Sequence, residues 1–120
     1  MTGKSEKQIR YAEDMIAWFM TDANEAIRLN SSRVERWENK DAERYADKIR
    51  MARNRLTAWS VSVERLNKMD DAGEILDALT GPLGLRSAAR AIESLLNEGH
   101  TVESAISQVN SGEELVSIRF

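Results

Sequence analysis

Between Ala42 and Leu66 apolar side chains recur as Ala42, Tyr45, Ile49, Ala52, Leu56, Trp59, Val63 and Leu66, in steps that alternate three and four without interruption. Only a helix brings residues at that spacing onto one face, and so regular a face needs a second helix to cover it. At about 1.5 Å per residue this helix is expected to span roughly 37 Å. A matching stripe precedes it: Ile9, Ala12, Ile16, Phe19, Ala23 and Ala26 follow the same steps, with Met15, Trp18 and Ile27 widening the face. Ser5-Glu6-Lys7-Gln8 has the form of a capping box, in which the serine oxygen takes the N3 amide and the glutamine reaches back to the cap amide. The first helix is therefore expected to start at Ser5 and to run to about Leu29. Asn30-Ser31-Ser32 is the expected break, because these side chains compete for backbone hydrogen bonds. Residues 33–41 fit either a helical turn or the start of the second helix. Two stripes of one period predict an antiparallel helical hairpin over 5–66, joined near 30–40.

Beyond the hairpin the pattern shortens. Ala72, Ile75, Leu76 and Leu79 mark a short helix with acids in its first turn, where the helix dipole favours them. Thr80-Gly81-Pro82-Leu83-Gly84 ends it. A further helix is expected over Ser87–Asn97, with Ala88, Ala91, Ile92 and Leu95 inward and Gly99 as its left-handed C′ residue. Thr101 is placed to cap a last helix carrying Val102, Ala105, Ile106 and Val109. The tail from Glu114 to Phe120 alternates partly like a strand but has no evident partner, and reads as a docked or frayed terminus. The predicted architecture is all-α: a long antiparallel helical hairpin packed with a cluster of about three short C-terminal helices (70–110) and a tail (111–120), in a single domain over 1–120.

The chain has no cysteine, which excludes a disulfide framework or a thiolate metal site and fits a cytoplasmic location. Its opening, Met1-Thr2-Gly3-Lys4-Ser5-Glu6-Lys7-Gln8, lacks the apolar core of a signal peptide, and no apolar run approaches the length of a membrane span. The one histidine, His100, lies in the loop Gly99-His100-Thr101 with neither a cysteine to activate nor a nucleophile elbow beside it, and reads as a solvated turn residue. Gly81-Pro82-Leu83-Gly84-Leu85-Arg86 lacks the Lys and Ser/Thr of a phosphate loop. No catalytic residue, cofactor or metal site is expected.

Charge is distributed unevenly. The whole chain is at −3, but residues 28–55 hold nine basic and five acidic side chains, whereas 56–120 hold five basic and ten acidic. Two groups of candidate binding residues follow. Arg33, Arg36, Lys40, Arg44 and Lys48 lie near the hairpin connection, and Trp37 among them has the setting of an interface anchor. Glu35, Glu43 and Asp47 are interleaved with these cations, so a solvated face of intrahelical ion pairs is the plainer reading of the same pattern. The second group is Asp70, Asp71, Glu74 and Asp77, with Asp70, Glu74 and Asp77 expected on one helix face. Such a face can offer one or two carboxylates to Mg2+, but ordinary helix capping explains it as well. Tyr45 and Trp59 fall on the apolar stripe and are expected in the core.

Ser5 to Asp14, running SEKQIRYAED, resembles the opening of small uncharacterised helical proteins of phages and mobile elements of Gram-positive bacteria, and Asp71 to Asp77 resembles a second short motif found in some of them. That resemblance implies a context rather than a residue role: small, catalytically silent proteins of this kind bind and block host machinery, CRISPR nucleases included. The leading expectation is a non-catalytic protein-binding module, of which a phage-encoded, anti-CRISPR-like inhibitor acting by stoichiometric binding to a host or defence complex is the more specific form. The alternatives are a nucleic-acid-binding or regulatory protein using the basic 33–55 region, and a helical structural protein that self-assembles as a homodimer.

Overall fold

The computed structural model describes residues 1–81 and 84–111, and within them the fold is all-helical. Five helices follow one another: α1 (Glu6–Asp41), α2 (Ala46–Asn67), α3 (Ala72–Thr80), α4 (Leu85–Asn97) and α5 (Val102–Ser111). The molecule is elongated, 54 × 28 × 20 Å. No described helix is long and apolar enough to cross a membrane.

The expected break at Asn30-Ser31-Ser32 does not occur, and α1 continues through it to Asp41. The competing side chain bonds backward instead: Asn30 is buried, and its Nδ2 donates to the Ala26 carbonyl at 2.7 Å, within the helix. Chain reversal falls later, at 42–45. There the Asp41 carboxylate accepts from the Arg44 amide at 3.1 Å and the Asp41 carbonyl accepts from the Tyr45 amide at 3.1 Å. α2 therefore starts at Ala46 rather than Ala42, and Ala42, expected in the core, is exposed.

α2 runs back along α1. Trp59 meets Phe19 with ring centroids 5.7 Å apart, and Arg53 pairs with Glu38 nearer the reversal. Ile49, Ala52 and Leu66 of the apolar stripe are buried, while Leu56, Trp59 and Val63 are half-buried. α2 also buries a second face, Ala58 and Ser62, which the stripe did not indicate. α4 covers it, and the Ser62 hydroxyl donates to the Leu85 carbonyl over a long 3.5 Å. Burying both faces of α2 is possible because alanine and serine let α4 approach closely.

The three short helices dock chiefly on the hairpin, and packing among them is closest between α4 and α5. α3 packs mainly on α1, α4 on α2, and α5 on α4. Two cores result. One joins Ala12, Phe19 and Ala23 of α1 to Leu66, Met69, Ile75, Leu79 and Leu85; the other joins Ala58 to Ala88, Ala89, Ile92, Leu96, Ala105 and Val109. On α4 the most buried face is Leu85, Ala88, Ala89, Ile92 and Leu96, whereas Ala91 and Leu95, expected inward, are half-buried. Gly99 has φ +102°, and the Gly99 and His100 amides donate to the Leu96 and Leu95 carbonyls, so the C-terminus of α4 closes through a left-handed residue. The Thr101 hydroxyl accepts from the Ser104 amide at 3.1 Å and caps α5. The strand-like alternation of the tail lies outside the described residues.

The beginning of the chain is tied down as well. Ser5 caps α1 by accepting from the Gln8 amide, while the Gln8 side chain accepts from the Lys4 amide, one residue before the cap. Thr2 pairs with the chain at Asp71: its amide donates to the Asp70 carbonyl at 2.8 Å, and its carbonyl accepts from the Ala72 amide at 2.6 Å.

Candidate functional site

The hairpin tip brings most of the basic candidates together. Because α1 extends to Asp41 and reverses in a few residues, Trp37 on α1 and Tyr45 at the head of α2 face each other. Their rings stack, with centroids 6.3 Å apart and planes 20° apart. Three cations surround the tyrosine ring: Lys40 Nζ at 5.9 Å, the Arg44 guanidinium at 5.4 Å and Lys48 Nζ at 5.7 Å from its centroid. Each is within reach of the ring's negative face. Both rings are half-buried, and the cations are exposed. Tyr45 is thus not a core residue. It takes a second role because the reversal lies at 42–45, where the stripe runs past the end of α1's cover.

Arg36 is exposed on α1 close by. Arg33 is half-buried and lines a recess with Trp37 and Lys48. Carboxylates are mixed in. Between residues 33 and 48 there are five cations and five acids, so the tip carries no net charge although three cations converge on one ring. Of the acids, Glu38 is held by Arg53 and Asp41 by the Arg44 amide. Further along α2, Arg55 makes a two-pronged contact with Glu93 of α4, at 3.1 and 3.2 Å. That hydrogen bonding, with the attraction of the carboxylate, raises the arginine above its already high ordinary value. Its charge is fixed at any working pH.

The acidic candidates lie elsewhere, on the segment that leads into α3. Asp70 is outside the helix and faces the amine of Met1 at 3.3 Å, so it does not share a helix face with Glu74 and Asp77. Asp71 is the N-cap: one oxygen accepts from the Glu74 amide at 3.0 Å, and the other faces the Thr2 hydroxyl at 3.4 Å. Glu74 and Asp77 are exposed on α3. Among the described residues no group of three imidazole or carboxylate side chains stands where it could hold a metal ion. Asp70 and Asp71 join the start of the chain to α3, which packs on α1 far from its tip. The acidic and basic candidates therefore do not form one site.

His100 is not simply solvated. It is half-buried, and its Nδ1 lies 3.0 Å from the Ser104 hydroxyl and 3.3 Å from the Gln108 amide nitrogen, a network along the first turns of α5.

Sequence reasoning placed Trp37 at the hairpin connection but assigned its stacking partner to the core. The available signal was local: Tyr45 lies near the start of the stripe, with Arg44 beside it and Lys48 one turn on. Comparison with family models, with curated proteins and with solved structures yields no match. The geometry stands alone.

Proposed function

We propose that this chain is a non-catalytic protein-binding module that docks through the tip of its α1–α2 hairpin. The observation that carries the reading is the Trp37–Tyr45 stack, ringed by Lys40, Arg44 and Lys48. Tryptophan, tyrosine and arginine carry much of the energy of protein interfaces, and a pair already stacked loses little freedom on binding. The equal count of acids and cations across 33–48 favours a protein over nucleic acid. Affinity for phosphate chains grows with the number of counterions released, and interleaved carboxylates oppose it.

The test is retention from nuclease-treated bacterial lysate, comparing the wild-type chain with the Trp37→Ala/Tyr45→Ala double variant at equal helicity. A dominant protein retained at high salt is expected. The variant should hold it at least ~30-fold more weakly, as for a ~2 kcal/mol anchor. Equal retention by both would sink the reading. Retention that needs nucleic acid would favour the alternative of a nucleic-acid-binding protein, for which the convergence of three cations around Tyr45 speaks.

A finer reading is an anti-CRISPR-like inhibitor, acting in the bacterial cytoplasm by stoichiometric contact with a host defence complex. Its support is the resemblance of Ser5–Asp14 to small phage proteins. Loss of CRISPR nuclease cleavage at a one-to-one ratio of chain to complex is its measure. Self-association as a homodimer is also proposed, on the exposure of Tyr11 (53%) and Trp18 (66%) two turns apart on α1. A monomer mass by light scattering would remove it.

A further inference from the structure

α2 floors a groove between α1 and α4. Its widest part encloses about 600 Å3. That part shares Trp59, Arg90 and Glu93 with a recess of about 290 Å3 beside Asp22 and Arg86, and it shares Asn30, Arg33 and Arg55 with a recess of about 200 Å3 beside Trp37 and Lys48. The three therefore run into one another. Along α1, from Asp22 to Trp37, the channel extends about 22 Å at ~1.5 Å per residue.

The lining reverses the charge of the chain as a whole. Arg33, Lys48, Arg55, Arg86 and Arg90 face two carboxylates, Asp22 and Glu93. Both carboxylates are engaged, Asp22 with Arg86 at 2.9 Å and Glu93 with Arg55. Among the described residues, Arg33, Lys48 and Arg90 have no carboxylate at ion-pair distance, in a chain whose net charge is −3. None of this was visible along the sequence, because Arg86 and Arg90 join Arg33 only when α4 docks on the far side of α2.

We propose that this groove holds an extended acidic peptide segment of a partner protein. Four of its five cations are arginines, whose planar forks match carboxylates two bonds at a time. Ser94 and Glu93 on one wall supply acceptors that the amides of an extended chain can meet, and a phosphate backbone has no such donors. Trp59 on the floor is half-buried against Phe19, so it offers a surface for an aliphatic side chain rather than a free face for stacking a base. At ~3.3 Å per residue the groove accommodates about seven extended residues.

The inference rests on the preceding reading only in taking the partner to be a protein. A fluorescein-labelled peptide alternating glutamate with leucine, about seven residues long, is titrated with the whole chain and followed by anisotropy. The unlabelled peptide is followed by the three tryptophan indole resonances. Trp59 and Trp37 should shift, and Trp18, outside the groove, should not. Arg33→Glu/Arg90→Glu should weaken binding by at least about tenfold, while Arg10→Glu, a single reversal on the exposed far part of α1, should change it by less than about twofold. Unmoved Trp59 and Trp37 resonances in the wild-type chain would overturn the proposal whatever the variants do. So would equal weakening by Arg10→Glu, or tighter binding of an oligothymidine of similar length with the same resonances shifted. The two readings fail separately. Tip-dependent retention with a silent groove removes this one alone, and peptide binding without tip-dependent retention removes only the other.

Discussion

Replacing Phe19 by alanine tests the centre of the larger core. The side chain is wholly buried, lies against the Trp59 ring at 5.7 Å, and has the Arg86 guanidinium 5.2 Å from its ring centroid. Three elements thus meet at one residue: α1, α2 and the head of α4. Truncating a buried phenylalanine costs about 3–5 kcal/mol, which includes the transfer of the lost atoms and the cavity they leave. Leucine at the same position keeps most of the apolar volume. It loses mainly the aromatic pair, ~0.5–1.5 kcal/mol, and the cation over the ring, ~0.5–1 kcal/mol. Phe19→Leu should therefore cost about 1–2.5 kcal/mol and Phe19→Ala about 4. For a chain of this size each kcal/mol lowers Tm by about 4 °C, so the alanine variant should melt about 16 °C lower. Urea unfolding followed by far-ultraviolet circular dichroism gives the free energies directly, provided the slope with denaturant is unchanged. A loss below about 1 kcal/mol for Phe19→Ala would mean that α1, α2 and α4 do not converge on this ring. A Phe19→Leu variant as stable as the wild type would remove the ring-specific terms.

A Cβ at Gly84 would stand 2.1 Å from the Ala78 carbonyl oxygen, so Gly84→Ala must displace α4 from α3 and should cost about 2 kcal/mol or more by the same denaturation. Asp71→Ala removes the cap of α3 and the hydroxyl contact from Thr2; a loss of about 1 kcal/mol is expected, with faster amide exchange over 72–75 as its local signature. The Arg28 guanidinium, by hydrogen bond and then by charge, holds the Glu25 carboxyl below its ordinary value. The pair's contribution is therefore present above the ordinary glutamate range and is lost as pH falls through the lowered value. A carboxyl titration by NMR should show the Glu25 midpoint rising in Arg28→Gln, and an unmoved midpoint would mean the pair does not form in solution.

Local pattern determined the helices themselves. Alternating steps of three and four over 9–26 and 42–66 can be buried only as helical faces, and the caps at Ser5, Asp71 and Thr101 and the left-handed Gly99 are written in residue types with a single-turn reach. The place of the hairpin bend was not legible. Asn30, Ser31 and Ser32 break a helix when their side chains take backbone partners outside it, and only the packed structure turns Asn30 back onto Ala26. Tyr45 followed from that error, since a bend near residue 30 leaves it in the core and a bend at 42–45 puts it at the tip. The second buried face of α2 was equally hidden. Ala58 and Ser62 are small and unremarked in a hydropathy stripe, and their value is the close approach they allow α4. That approach is tertiary, and it carries Arg86 and Arg90 across to Arg33. Side chains far apart in sequence share a surface only through the helix packed between them, so spacing along the chain could name the charges of the groove but not bring them together.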